Sequence, residues 1–177
     1  MLYLKKEKGI TIIALVITVI VLVIIAGISI TQGTKLISTT RVESYVTDMI
    51  TIRAKAKVYA EEINAEIWDA TDKSEKRAQL YLEKYNMNKI TDSGEITSKV
   101  DGNINDSNGC ECYGITNETL KKMGLDKLSN EIQDGEYVVV YNASDYSKLD
   151  IVCKNGIQYN GKNYYTLSSL QSKVGEE

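Results

Sequence analysis

The sequence predicts an α+β protein in which one long N-terminal helix packs on a small C-terminal antiparallel β-sheet. Three observations support this fold class. Residues 10–30 contain no charged side chain, and residues 42–67 place apolar side chains at steps of three and four. The last third of the chain combines β-branched and aromatic runs with Asn-Gly dipeptides. With 177 residues, the chain has room for one membrane segment and one ordinary domain.

The N-terminal end reads as a basic leader, residues 1–9, followed by a membrane-spanning segment, residues 10–30. A helix of 21 residues is about 31 Å long, which matches the hydrocarbon thickness of a bilayer. Three lysines, Lys5, Lys6 and Lys8, precede the segment. By the positive-inside rule they place the N-terminus in the cytoplasm and the rest of the chain outside it, as a single-pass membrane protein.

Residues 31–68 are predicted to continue the same helix as an amphipathic half. The predicted buried stripe consists of Val42, Tyr45, Met49, Ile52, Ala56, Tyr59, Ile63 and Ile67. The side chains between these positions are mostly charged, and the chain has no proline to interrupt a helix. We therefore expect one helix from Ile10 to about Trp68, whose second half lays its apolar stripe on the domain that follows.

Residues 69–177 are predicted to form an αβ head that begins with helices. Asp72 and Glu75 resemble a capping box, which predicts a helix over about 73–86. Its inward side chains are expected to be Ala78, Leu82 and Tyr85. A polar loop over about 91–110 follows, and then a short helix that starts after Thr116, runs through Met123 and is closed by Gly124.

The C-terminal part of the head is predicted to be a meander of three or four antiparallel strands. The strands are expected at Glu136–Tyr141, Leu149–Cys153 and Lys162–Leu167. Asn155-Gly156 suits a type I′ hairpin turn, and Asn160-Gly161 repeats that signal. The strand tyrosines, Tyr137, Tyr141, Tyr159, Tyr164 and Tyr165, are expected to pack on a neighbouring helix. The alternative is a sugar- or surface-binding face.

Composition excludes several functions. The chain has no histidine, so it lacks Ser-His-Asp and Cys-His nucleophile systems and imidazole metal ligands. No pair of carboxylates is placed for acid–base work, and we expect no enzyme activity and no cofactor. A net charge of −3 argues against nucleic acid as a partner, because phosphate binding needs a cationic surface.

Metal and disulfide sites remain open in the sequence. A disulfide could join Cys153 to Cys110 or Cys112 outside the cytoplasm, and the alternative is three reduced thiols. The cysteines lack an obvious fourth ligand for zinc, so we expect no metal site. Residues 101–112 superficially resemble a calcium loop, but Asp106 occupies the position that requires glycine and Cys112 the one that requires glutamate.

The stretch K-G-I-T-I-I-A-L-V-I around Gly9 and Ile10 resembles the cleavage and methylation motif of type IV prepilins and type II secretion pseudopilins. The resemblance implies cleavage after Gly9 by a prepilin peptidase and N-methylation of Ile10. It also implies a pilin-like fold in which Thr11, Ala14 and Thr18 lie on the helix that assembles with other subunits.

Ala14 departs from the family's pattern, which has glutamate at this fifth mature position. In the family that glutamate pairs with the N-terminal ammonium of a neighbouring subunit, and Ala14 removes this partner. Its loss is associated with minor subunits. It is also compatible with assembly by packing alone, or with a protein that stays in the membrane.

The sequence therefore favours a structural subunit of an extracytoplasmic filament or of a secretion or DNA-uptake machine. Its expected partners are prepilin peptidase, other pilin or pseudopilin subunits and membrane lipid. It would lie at the cell surface after assembly. The alternative is a single-span anchored protein with an extracellular binding domain that does not polymerise.

Overall fold

The computed structural model describes residue 19 and the ranges 41–129 and 136–174. The two ranges belong to one compact unit, Arg41–Glu177. The predicted leader, residues 1–9, lies outside the described residues, and so does the predicted span apart from Val19, which is helical. Within the described part of the chain, no helix combines the length and the apolar character needed to cross a bilayer.

The first described helix of this unit, α1, covers residues 41–66 and ends in a turn at Ile67–Asp69. This end agrees with the predicted one near Trp68. One face of α1 is buried, and it consists of Val42, Met49, Ile52, Ala56, Tyr59, Ala60 and Ile63, with Ile67 just beyond the helix. Tyr45 was expected in this stripe but is partly exposed, and Val46 packs against the core in that turn instead.

The second helix, α2 (Lys73–Tyr85), begins as predicted, because Asp72 Oδ1 accepts a hydrogen bond from the Glu75 amide at 3.0 Å. It ends at Asn86, which adopts the left-handed conformation at φ 56°. The prediction that Leu82 points inward is wrong, since its side chain is 51% exposed. The other two predicted residues, Ala78 and Tyr85, do pack against the main core. Leu80 and Tyr81 are buried between them.

Five strands form one antiparallel sheet in the order β1-β2-β3-β4-β5, and the chain visits them in that order. The strands are β1 (Asn88–Ile90), β2 (Cys110–Gly114), β3 (Tyr137–Asn142), β4 (Leu149–Tyr159) and β5 (Lys162–Thr166). The protein is thus α+β with an antiparallel meander, as predicted, but with five strands where three or four were expected. All six residues of β3 are buried, because both faces of the central strand are covered.

The two faces of the sheet carry different clusters. On one face, odd-numbered residues of β3 such as Tyr137, Val139 and Tyr141 pack with the buried face of α1 in the main core. On the other face, Val138 and Val140 belong to a second cluster with Cys112, Val152 and Ile96. Ile96 lies in α3 (Gly94–Thr97), within the segment predicted as a loop, so this segment covers the second face.

The remaining helices flank the sheet. α4 (Asn117–Lys122) is capped by Thr116 and followed by Gly124 at φ 78°, as the sequence predicted, and α5 (Asp126–Ser129) comes next. The chain ends its described part in α6 (Leu167–Val174), which the sequence analysis missed. α6 buries Leu167 and Leu170 in the main core.

The β4–β5 hairpin turns at Asn160-Gly161, whose φ angles of 49° and 75° are both positive, as a type I′ turn requires. The expected turn at Asn155-Gly156 is wrong, because β4 runs straight through it. Gly156 has a φ of 70°, and the β4–β5 register shifts between Val152 and Ile157. Asn155-Gly156 therefore marks an irregularity inside a long strand, as glycine often does.

Gly156→Ala should lower the free energy of unfolding by about 2–4 kcal/mol, measured by urea denaturation. A β-carbon there would lie 2.8 Å from Cε1 of Tyr165, in addition to the strain of a positive φ. Gly161→Ala is the matched control, since its φ is 75° but the space around it is open. Its free energy of unfolding should fall only by the strain of an alanine at positive φ, about 1–2 kcal/mol. Equal losses in the two variants would contradict a role for the Tyr165 contact.

Candidate functional site

The residues of the predicted processing and assembly motif, Gly9, Ile10, Thr11, Ala14 and Thr18, lie outside the described residues. The described unit contains the other predicted sites, namely the cysteines, the loop at 101–112 and the strand tyrosines. It also contains a half-buried carboxylate, Glu111, that the sequence patterns did not indicate.

The three cysteines are free thiols. Cys110 and Cys112 lie within hydrogen-bonding reach of each other, whereas Cys153 lies apart from both. Cys112 belongs to the second cluster with Val138 and Val152, whereas Cys153 packs in the main core on the opposite face of the sheet. A disulfide between Cys153 and Cys112 is therefore ruled out by the sheet itself. Cys110 packs against the same cluster as Cys112, since alternate residues of a strand share a face. Burial raises the pKa of the Cys112 thiol to about 12, which makes it a poor nucleophile.

The carboxylates of the 101–112 loop organise the loop itself. Asp101 Oδ1 accepts a hydrogen bond from the Asn103 amide at 2.7 Å, and Asp106 Oδ1 accepts one from the Asn108 amide at 2.8 Å. Asp106 Oδ2 accepts a further bond from Asn142 Nδ2 at 2.8 Å. Among the described residues, no group of three or more His, Cys, Asp or Glu side chains is placed to hold a metal ion.

The strand tyrosines pack inward, as predicted. Tyr137, Tyr141 and Tyr159 are buried in the main core, and Tyr164 packs against it. Tyr165 packs against the second cluster, on the other face of the sheet. The Tyr141 hydroxyl donates a hydrogen bond to the Ala56 carbonyl of α1 at 2.9 Å, which ties the central strand to the helix. These tyrosines therefore contribute aromatic area and polar anchors to the interior of the protein.

The face of α1 that points to solvent carries its own apolar side chains. Ile50 is 44% exposed, Val58 is 46% exposed, and Ala54 lies between them and is also exposed. These three residues are four apart, so they follow one line along the helix. We call them the outer stripe of α1. It lies on the side opposite Ile52 and Ala56, which are buried.

Glu111, in the middle of β2, accepts hydrogen bonds from four side chains. Ser74 Oγ lies 2.6 Å from Oε1, Lys89 Nζ lies 2.9 Å from the same oxygen, and the Tyr113 hydroxyl lies 2.7 Å from Oε2. The Tyr146 hydroxyl also donates to Oε2. The carboxylate thus joins α2, two strands and the β3–β4 loop. The local sequence does not indicate this, because three of the four donors come from positions more than twenty residues away.

This carboxylate stays ionised over a wide pH range. Burial alone would raise the pKa of Glu111, but the hydrogen bonds from Ser74, Tyr146, Lys89 and Tyr113 outweigh burial and lower the pKa to about 2. A carboxylate with all its donors in place is a structural centre and a weak base. Its chemistry therefore favours holding the head together over acid–base catalysis.

Neither the known protein families, nor the curated proteins, nor the solved structures gave a match to this chain.

Proposed function

We propose that this chain is a structural subunit of a type IV pilin-like or pseudopilin filament, matured by prepilin peptidase cleavage after Gly9. The observation that carries the proposal is the motif K-G-I-T-I-I-A-L-V-I, with lysines before it and an uncharged run through Ile30 behind it. A secretory signal would instead need a shorter apolar core and a small-residue cut site.

The geometry of the head supports this proposal. A pilin-like subunit needs a helix that is apolar where it meets the membrane and amphipathic where it meets its own head. In α1, the buried face packs on an antiparallel sheet. The predicted span ends at Ile30, only eleven residues before Arg41, where the described part of α1 begins. In our proposal the two segments form one helix from Ile10 to the end of α1.

The outer stripe of α1 supplies a surface for contact with neighbouring subunits. Ile50, Ala54 and Val58 contribute apolar and small side chains that allow another helix to approach closely. In the membrane the subunit would be held by residues 10–30. In the filament the same residues would exchange lipid contacts for protein contacts, and the head would face outward.

Ala14 places the chain among subunits that assemble without the family's glutamate. A glutamate in lipid is costly unless it is paired, and alanine carries no such cost. We therefore propose a minor subunit, whose docking depends on helix packing and on the pairing groups of its neighbours.

The test is mass spectrometry of the protein purified from its own cells. We expect an N-terminus at methylated Ile10 and a mature chain of 168 residues, nine fewer than the 177 encoded. The protein should also appear in surface filaments that are sheared from cells. Replacing Gly9 by leucine should leave the full-length chain, because the peptidase needs a small residue at the cut.

The alternative gives the opposite results. A non-polymerising anchored protein would keep Met1 and would be absent from the sheared material. A mature N-terminus at any residue other than Ile10 would also refute the proposal.

A further inference from the structure

A groove of about 650 Å³ opens on the head between the C-terminal half of α1, the first turns of α2 and the β3–β4 loop. Its lining contains three acidic residues, Glu61, Glu111 and Asp145, and three basic ones. The basic residues are Lys57 on α1 and Lys73 and Arg77 on α2. Equal numbers of acids and bases suggest a neutral groove, but the hydrogen bonds show otherwise.

Two of the three carboxylates are already satisfied from within the protein. Glu111 accepts the four hydrogen bonds described above. Asp145 Oδ1 accepts bonds from the Ser147 amide at 3.1 Å and from the Ser147 hydroxyl at 2.6 Å, and Lys148 lies 3.8 Å from Oδ2. The negative charge of these two groups is therefore largely compensated before any ligand arrives.

The three cations are not compensated in this way. Lys57 and Lys73 are exposed, and within the described ranges neither ammonium group has a hydrogen bond or an ion pair. Arg77 Nη2 donates to Asn64 Oδ1 at 3.0 Å, and its guanidinium lies 3.7 Å above the Tyr146 ring. No carboxylate of the described residues forms an ion pair with Arg77. The groove therefore presents a surplus of positive charge on a protein whose net charge is −3.

Arg77 is held in a fixed orientation. Stacking on Tyr146 and the bond to Asn64 restrict a side chain that is otherwise flexible, and Tyr146 is itself held by Glu111. A planar guanidinium that is oriented in advance loses little conformational entropy on binding, and its geometry matches a carboxylate. Lys73 and Arg77 are four residues apart on α2, so they share one face of that helix.

We propose that this groove binds an acidic peptide segment of another protein, with Arg77 holding one carboxylate and Lys57 and Lys73 attracting its neighbours. The remaining residues favour a peptide over a compact anion. Glu61 lines the groove without a partner among the described residues, and it would repel phosphate. A peptide offers backbone N–H groups to Glu61 and methylene groups to Ala60 and Ala143, which also line the groove. This inference does not depend on filament assembly.

The experiment is a binding titration of the full-length chain in zwitterionic detergent micelles with a fluorescent, end-blocked tetraglutamate peptide. We expect saturable binding that weakens as salt is raised. A tetraglutamine peptide should bind far more weakly. Replacing both Lys57 and Lys73 by alanine should weaken binding by roughly threefold to tenfold, since each exposed charge contributes modestly. Arg77→Lys keeps the charge but loses the planar fork, and it should weaken binding too.

The matched control replaces Lys55 and Lys76 by alanine. These lysines are exposed on the same two helices but do not line the groove, so the net charge changes equally while the groove stays intact. Binding should change less than twofold. Equal weakening in both double variants would mean general attraction and would overturn the proposal. Competition by inorganic phosphate at concentrations similar to those of the peptide would overturn the assignment to a peptide, and so would a lack of saturable binding.

Discussion

Ile52→Ala should lower the free energy of unfolding of the head by about 2–5 kcal/mol, measured by urea denaturation of the full chain in detergent. Ile52 lies on the face of α1 that packs on the sheet, and its side chain is fully buried in the main core. Removing three carbon atoms there loses their transfer free energy and leaves a cavity. Neighbours held by the sheet can collapse into such a cavity only partly.

Ile50→Ala is the matched control, because it makes the same chemical change two residues away on the same helix. Ile50 belongs to the outer stripe and is 44% exposed, so we expect a loss within about 0.5 kcal/mol. The same variant should reduce recovery of the protein in sheared filaments, if the outer stripe contacts other subunits. Equal destabilisation by the two variants would show that the assignment of the two faces of α1 is wrong.

Glu111→Gln should lower the free energy of unfolding by about 2–4 kcal/mol at pH 7. Glutamine has nearly the same shape, but it has one acceptor oxygen in place of two and no charge. Four donors now converge on the carboxylate, so at least two of them would lose their acceptor. Glu83→Gln is the control. Glu83 is exposed on α2 and accepts one hydrogen bond from Gln79. An amide oxygen can accept the same bond, so Glu83→Gln should change the free energy of unfolding only slightly.

The stability of the parent and of Glu111→Gln should also depend on pH in different ways. The pKa of Glu111 is about 2 in the folded protein and near its ordinary value of 4.5 in the unfolded chain. The contribution of the ionised Glu111 to the free energy of unfolding is therefore fully present above about pH 4.5 and is lost as the pH falls toward 2. The stability difference between the parent and Glu111→Gln should shrink over that interval. A difference that stays constant down to pH 2 would contradict the assigned pKa.

Local patterns predicted the elements whose signals are local. The cap at Asp72, the cap at Thr116 and the turn at Asn160-Gly161 depend on a few adjacent residues, and all three occur as predicted. The stripe on α1 was predictable because a helix buried on one face repeats its apolar residues. Tyr45 was misplaced because the pattern could not tell which of two adjacent residues, Tyr45 or Val46, would meet the core.

The missed elements depend on contacts that the local sequence does not encode. β2 contains a glutamate and follows a polar loop, so its sequence does not look like a strand. The charge of Glu111 is stabilised within the strand because hydrogen-bond donors from α2, β1 and the β3–β4 loop surround its carboxylate. α6 had a weak signal, since Thr166 and Ser169 have cap spacing and Leu167 and Leu170 are three apart, but it follows a strand directly. Asn155-Gly156 has the dipeptide of a hairpin turn, yet β5 pairs across it.

The meander also decides the order in which the chain can fold. Each strand pairs with the next one in sequence, so the sheet can form from successive short-range steps. Helix α1 is different, because the bond from Tyr141 to Ala56 spans 85 residues. During synthesis α1 leaves the ribosome first, and the strand that covers its apolar face follows several seconds later. Helix α2 follows α1 directly and covers part of that face first, since the Tyr59 and Tyr85 rings stack with their centroids 3.6 Å apart. The part of the face that meets β3 stays uncovered until that strand has been made.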